Sequence, residues 1–137
     1  MADPTPPWEP PLAGTEAEHL AGMLERLRAT FRWKADGLDL TGLLKHLALV
    51  EDDVFCWRIA GERPVTRFLA PEGSDISTWQ FTVGDEETPE QVYALWDAAV
   101  ERSRERLTDL IDRGALDDAG NLEFGGVRPS ARRHVCD

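Results

Sequence analysis

Cysteine is scarce in this chain, histidine is barely commoner, and basic residues are outnumbered by acidic ones. The two cysteines, Cys56 and Cys136, belong to no CxxC pair. Isolated cysteines of this kind read as reduced thiols rather than as a disulfide framework or a zinc knuckle. A nucleophilic cysteine needs a base beside it to form thiolate, and the sequence places none next to either. No apolar run reaches the roughly 18 uncharged residues of a membrane span. No basic start followed by an apolar stretch announces a secretion signal, so the expected compartment is the cytoplasm. Lys and Arg total 15 against 26 Asp and Glu, a formal net charge of −11. Nucleic-acid affinity rests on neutralising phosphates, so nucleic acid is not an expected partner. The cluster Arg128, Arg132 and Arg133 is too small to reverse that balance. Also missing are an internal repeat, a Gly-rich phosphate loop, a Ser-His-Asp or Cys-His arrangement and a paired-carboxylate signature.

What is there suits one helical domain, since 137 residues allow one core and not two. Residues 1–14 are rich in proline and read as a polar, extended lead-in, with the domain expected over 15–137. A first helix opens at Thr15, with Glu18 at capping-box spacing. Leu20, Met23, Leu24, Leu27 and Phe31 then form one stripe, and Gly37 supplies a stop. A second helix is expected from Asp39 or Thr41 to Gly61, after a link so short that the two helices should pack antiparallel. It carries two apolar stripes. One holds Leu40, Leu43, Leu44, Leu47, Val54 and Phe55; the other holds Gly42, His46, Leu49, Val50, Asp53 and Trp57. Apolar residues over most of its circumference make it the central helix.

Residues 62–87 form a long connection punctuated by Pro64, Pro71, Gly73 and Gly84. Within it, residues 76–83 alternate loosely, the pattern of a short strand or an extended cover. Thr88, Pro89 and Gln91 then open a third helix. Its apolar face runs from Val92 to Ile111, and Asp97, Glu101, Arg102, Arg104 and Glu105 are expected on the water side. Residues 115–128 are turn-rich, and Pro129-Ser130 begins a last helical stretch.

His46 is the sharpest candidate for chemistry. Neutral imidazole is the commonest ligand for Zn, Ni and Fe, and bundles build metal sites from facing helices. A histidine on an apolar helix is otherwise a packed residue bonded to a neighbour, and spacing alone leaves both readings open. Asp53 shares the stripe but lies about 10 Å along the axis, too far to co-ligate. Glu51 falls near the centre of the main stripe, where a carboxylate needs a partner such as Arg26 or Arg28. His19 is expected to be solvated, and His134 has no spaced partner after it.

The runs Leu-Arg-Ala-Thr-Phe-Arg-Trp-Lys-Ala-Asp-Gly-Leu (27–38) and Leu-Thr-Gly-Leu-Leu-Lys-His-Leu-Ala-Leu-Val-Glu-Asp-Asp (40–53) resemble the DinB/YfiT-like bundle superfamily, in its actinobacterial branch of unassigned function. Residues 85–100 and 128–137 resemble the same branch. The resemblance implies an all-α, up-down-down-up helical bundle. It implies divalent-metal chemistry, with Zn or Ni as cofactor. It also implies thiol-dependent transfer or isomerisation of small molecules, mycothiol among the thiols. His46 matches the first metal ligand of that family. The other two, four residues apart on a fourth helix, would fall past Asp137, so the expectation is three full helices, a truncated fourth and an incomplete site. The faces left open for a fourth helix suggest either self-association, as in a homodimer, or marginal stability. A rival expectation is a non-catalytic scaffold or dimerisation domain that has lost its metal.

Overall fold

Thr88 and Gln91 set the start of the longest helix among the described residues. The Thr88 hydroxyl oxygen accepts from the Gln91 N–H at 3.2 Å, and Gln91 Oε1 accepts from the Thr88 N–H at 2.9 Å. This is the reciprocal capping box expected from the sequence. A computed structural model describes residues 13–35, 41–83 and 87–136. Among them the regular elements are helices, with isolated bridges and no strand. The all-α helical bundle class is therefore observed. In order, the elements are α1 (Glu16–Ala35), α2 (Thr41–Asp52) prolonged by a π-helical segment (Asp53–Ile59), a 3-10 turn (Thr66–Leu69), α3 (Ile76–Trp79), α4 (Pro89–Asp112) and α5 (Ala131–Val135). Most of the proline-rich lead-in, the Gly37 stop, the Gly37–Asp39 link, Leu40 and Gly84 lie outside the described residues.

The chain divides into two compact units, Met1–Asp39 and Leu40–Asp137. In the first, Thr15 opens α1 as expected: its hydroxyl oxygen accepts from the Glu18 N–H at 3.1 Å. One turn-spaced ion pair, Arg28 to Glu25 at 2.9 Å, braces the same helix.

In the second unit, α2 packs chiefly on α4. The buried residues of α2 and its continuation are Leu44, Lys45, Ala48, Leu49, Asp52, Phe55 and Cys56. That is one face at helical spacing, so the expectation of a helix apolar and buried nearly all round is corrected. Leu43, Val50 and Trp57 are exposed. On α4 the buried face is Val92, Trp96, Ala99, Val100, Ser103, Leu107 and Leu110, close to the sequence reading.

The π-helical end of α2 has a clear stop. Gly61 adopts φ +71°, its N–H donates to Trp57 O at 3.0 Å, and the Glu62 N–H reaches back to Cys56 O at 2.7 Å. The Gly61 bond, four residues back from a left-handed residue, is an αL closure, and the wider Glu62 bond continues it. The Arg58 carbonyl accepts from both Asn121 N–H (2.8 Å) and Leu122 N–H (3.1 Å), so the turn-rich segment docks on the helix end. Ser130 caps α5 by accepting from the Arg133 N–H at 3.2 Å.

Two sequence expectations fail here. Residues 76–79 are helical, not a strand, because the Asp75 carboxylate accepts from the Ser77 N–H at 3.0 Å and caps a turn. The buried acid of α2 is Asp52, one residue beyond Glu51, which is only half-buried.

Candidate functional site

The first turns of α2 and the segment around α3 meet at Lys45 and His46. The Lys45 side chain is wholly buried. Its ammonium donates to Thr82 O at 3.0 Å and to Glu87 Oε1 at 2.7 Å, and it stands 4.0 Å from the centre of the Trp79 ring. Two charge-assisted hydrogen bonds and a cation–π contact thus replace the water that a buried ammonium gives up. Next to it, His46 Nδ1 lies 2.7 Å from Gln80 Oε1. The imidazole stacks on Phe81 with ring centres 4.5 Å apart and planes 25° from parallel. His46 is half-buried and Phe81 is 53% exposed. Among the described residues no hydrogen bond occupies His46 Nε2. The site therefore offers an imidazole held by Gln80 and Phe81, a second ring nitrogen with no hydrogen bond among the described residues, and an exposed aromatic residue beside it.

The other candidates lie apart from this arrangement. Asp53 faces Arg67 at 3.6 Å and Arg58 at 3.9 Å. His19 belongs to the first unit, where its Nδ1 lies 2.9 Å from Thr15 O. His134 is buried in α5; burial, then the charges of Arg58 and Arg133, push its pKa below the ordinary value. Cys56 is buried with its Sγ 3.9 Å from Asp52 Oδ1, and burial pushes its thiol up, the opposite of what a nucleophile needs. Cys136 is exposed. A cavity of about 230 Å³, lined by Phe55, Ile59, Arg106 and Leu110 among others, opens at the far end of the same helix and does not include His46.

Sequence reasoning missed Lys45, Trp79 and Gln80. It also put Arg102 on the water side, whereas Arg102 Nε and Nη2 donate to Asp52 at 3.1 and 2.7 Å. Asp52 further accepts from the Thr66 N–H at 2.9 Å and from its hydroxyl. Burial would raise the Asp52 pKa, but the hydrogen bonds from Arg102 and Thr66 outweigh it and hold the carboxyl below its usual range. This cluster ties α2, the 3-10 turn and α4 together, so its role is architectural.

A family model described as Mycothiol-S-transferase matches residues 19–135. The chain belongs to the mycothiol S-transferase family. That family lies within the DinB/YfiT-like superfamily, so the resemblance drawn from the sequence holds. No curated protein and no solved structure matches the chain. For a mycothiol S-transferase, a mycothiol-related transfer function is the functional class that membership supports. A resident divalent metal is a separate matter. Among the described residues no three His, Cys, Asp or Glu side chains gather around one point. A divalent ion needs three protein ligands or so for a lasting site, and His46 supplies one. The described residues therefore do not fit such an ion by themselves. No helix among them is long and apolar enough to cross a membrane.

Proposed function

We propose that this chain transfers a low-molecular-weight thiol of the mycothiol class onto a small electrophile, with His46 as the reacting imidazole. The family match carries the reading, and the lack of a hydrogen bond on His46 Nε2 among the described residues supports it. A free thiol has a pKa near 8.5 and is only a few per cent ionised around neutrality. A ring nitrogen with an open lone pair meets that need. Nε2 accepts the S–H proton as sulfur attacks the electrophilic carbon, the S–C bond forms as the bond to the leaving group breaks, and the proton passes to the leaving group. The exposed face of Phe81 offers an apolar platform for the electrophile beside the imidazole. A Zn or Ni ion on Nε2 is the rival to this role, because a bound ring nitrogen has no lone pair left for a proton, and it would need further donors from outside the described residues.

The test is conjugate formation, read by mass spectrometry, from mycothiol and an alkylating probe. The purified chain is assayed with chelator, with Zn(II) and with Ni(II). Base catalysis predicts conjugate in all three conditions and a fall of about 100-fold or more in His46→Ala. Conjugate seen only with Zn or Ni, and lost in His46→Ala, reassigns Nε2 to the metal. No conjugate in any condition overturns the transferase reading and leaves a non-catalytic scaffold. Sedimentation of the same samples tests the homodimer proposed from the sequence.

A further inference from the structure

A neutral histidine has two tautomers, and the nitrogen that can react is the one without the proton. In this fold the choice falls to a residue 34 positions away, Gln80. Its carboxamide oxygen, 2.7 Å from His46 Nδ1, can only accept. As a hydrogen bond this contact requires the proton on Nδ1, which leaves the lone pair of the neutral ring on Nε2. The stack on Phe81 holds the ring plane. Gln80 itself is rigidly presented. Its N–H donates to Ile76 O at 3.1 Å, the turn before it is capped by Asp75, and the carbonyl two residues on receives the Lys45 ammonium at 3.0 Å.

We propose that Gln80 is a positioning residue: it holds His46 as the Nδ1–H tautomer and so makes Nε2 the reacting atom. This rests on the reading of His46 as the functional imidazole. Unconstrained histidine in water favours the other tautomer, so the lock has a spectroscopic signature that a merely structural glutamine would not produce.

The experiment is a long-range proton–nitrogen correlation spectrum of the imidazoles in the full chain. It is recorded well above the ordinary histidine pKa of about 6.5, with His46→Ala assigning the signals. The expected wild-type pattern is a protonated Nδ1 and a bare Nε2 on His46. Gln80→Leu is expected to shift the population to Nε2–H, and Gln80→Glu, which keeps an acceptor oxygen, to restore Nδ1–H. A bare Nδ1 in the wild-type chain overturns the proposal, as does an unchanged pattern in Gln80→Leu. The wild-type spectrum decides the first point even where a variant fails to fold. Absence of thiol conjugation would sink the proposed function while leaving the tautomer result standing. A bare Nδ1 in an active wild-type chain would sink the role of Gln80 alone.

Discussion

The backbone of Phe81 lies so close to Gly42 that a Cβ built on Gly42 would stand 2.4 Å from the Phe81 carbonyl oxygen. This approach lets Gln80 and Phe81 reach the His46 ring, because the chain can lie directly on the first turn of α2. Gly42→Ala brings two opposed effects. Alanine favours the helix by about 1 kcal/mol over glycine. The new methyl group meets backbone, which cannot swing aside as a side chain would, and overpacking of that kind costs about 1–3 kcal/mol. Strain wins near the end of a helix, where propensity counts least. Urea titration should show Gly42→Ala less stable than the wild-type chain, with the His46–Gln80 bond weakened in the imidazole spectrum. Equal or greater stability would show that the segment shifts freely.

Lys45 pins the same segment from the other side. In Lys45→Met the apolar stem is matched in length, but the bonds to Thr82 O and Glu87 and the contact with Trp79 are lost. Glu87 remains 34% exposed, so water can take over its carboxylate and no stranded charge adds to the loss. The expected cost is that of hydrogen bonds to a charged group, about 1.5–3 kcal/mol. Trp79 is the reporter: its emission should shift as the ammonium leaves its face. A variant with unchanged emission and unchanged denaturation midpoint would remove Lys45 from the set of residues that hold the site.

Asp52 and Arg102 join α2 to α4 in a setting where Asp52 is 1% exposed. Arg102→Met leaves the carboxylate with only the neutral donors of Thr66 and Cys56 in a nearly dry position, a loss of about 3–5 kcal/mol. The double variant Asp52→Leu/Arg102→Met should recover part of it, since no charge is left unpaired. The pH dependence follows from the lowered carboxyl pKa. Its contribution is fully present above the ordinary value of 3.8 and is lost as pH falls through the lower folded value. Chemical denaturation from pH 5 downward should therefore show a steeper decline in the wild-type chain than in the double variant. Parallel curves would contradict the role given to the pair.

Elements whose ends are written in neighbouring residues were legible in the sequence. The capping box of α4 and the Ser130 cap of α5 each need only residues within one turn. The short strand or extended cover expected over 76–83 gives way to a helical turn at 76–79, because Asp75 takes the N-cap position that aspartate favours. The two buried charges of α2 were illegible for a different reason. Lys45 and Asp52 look like solvent residues until their partners are known, and Glu87 and Arg102 lie 42 and 50 residues away. The candidate site divides in the same way. His46 was found through the block around it, whereas Gln80 carries no local pattern that links it to an imidazole. Its placement depends on how the segment after α3 folds back.

His134 gives the chain a second pH response, at the opposite end of the scale from Asp52. The ring is buried in α5 and packs so closely on Gly120 that a Cβ there would stand 3.0 Å from its Cδ2. Burial disfavours its charged form first, and the nearby charges of Arg58 and Arg133 act in the same direction. The folded pKa therefore lies below the ordinary 6.5. The unfolded chain then binds a proton more readily than the folded one, so stability must rise with pH across that interval. The contribution is complete above about pH 6.5 and is lost as pH falls toward the lower folded value. Urea titrations at pH 7.5 and 5.5 should show the wild-type chain weaker at the lower pH. His134→Gln cannot take up the proton, so its difference between the two pH values should be smaller. A variant that loses as much stability as the wild-type chain over the same interval would place the acid sensitivity elsewhere.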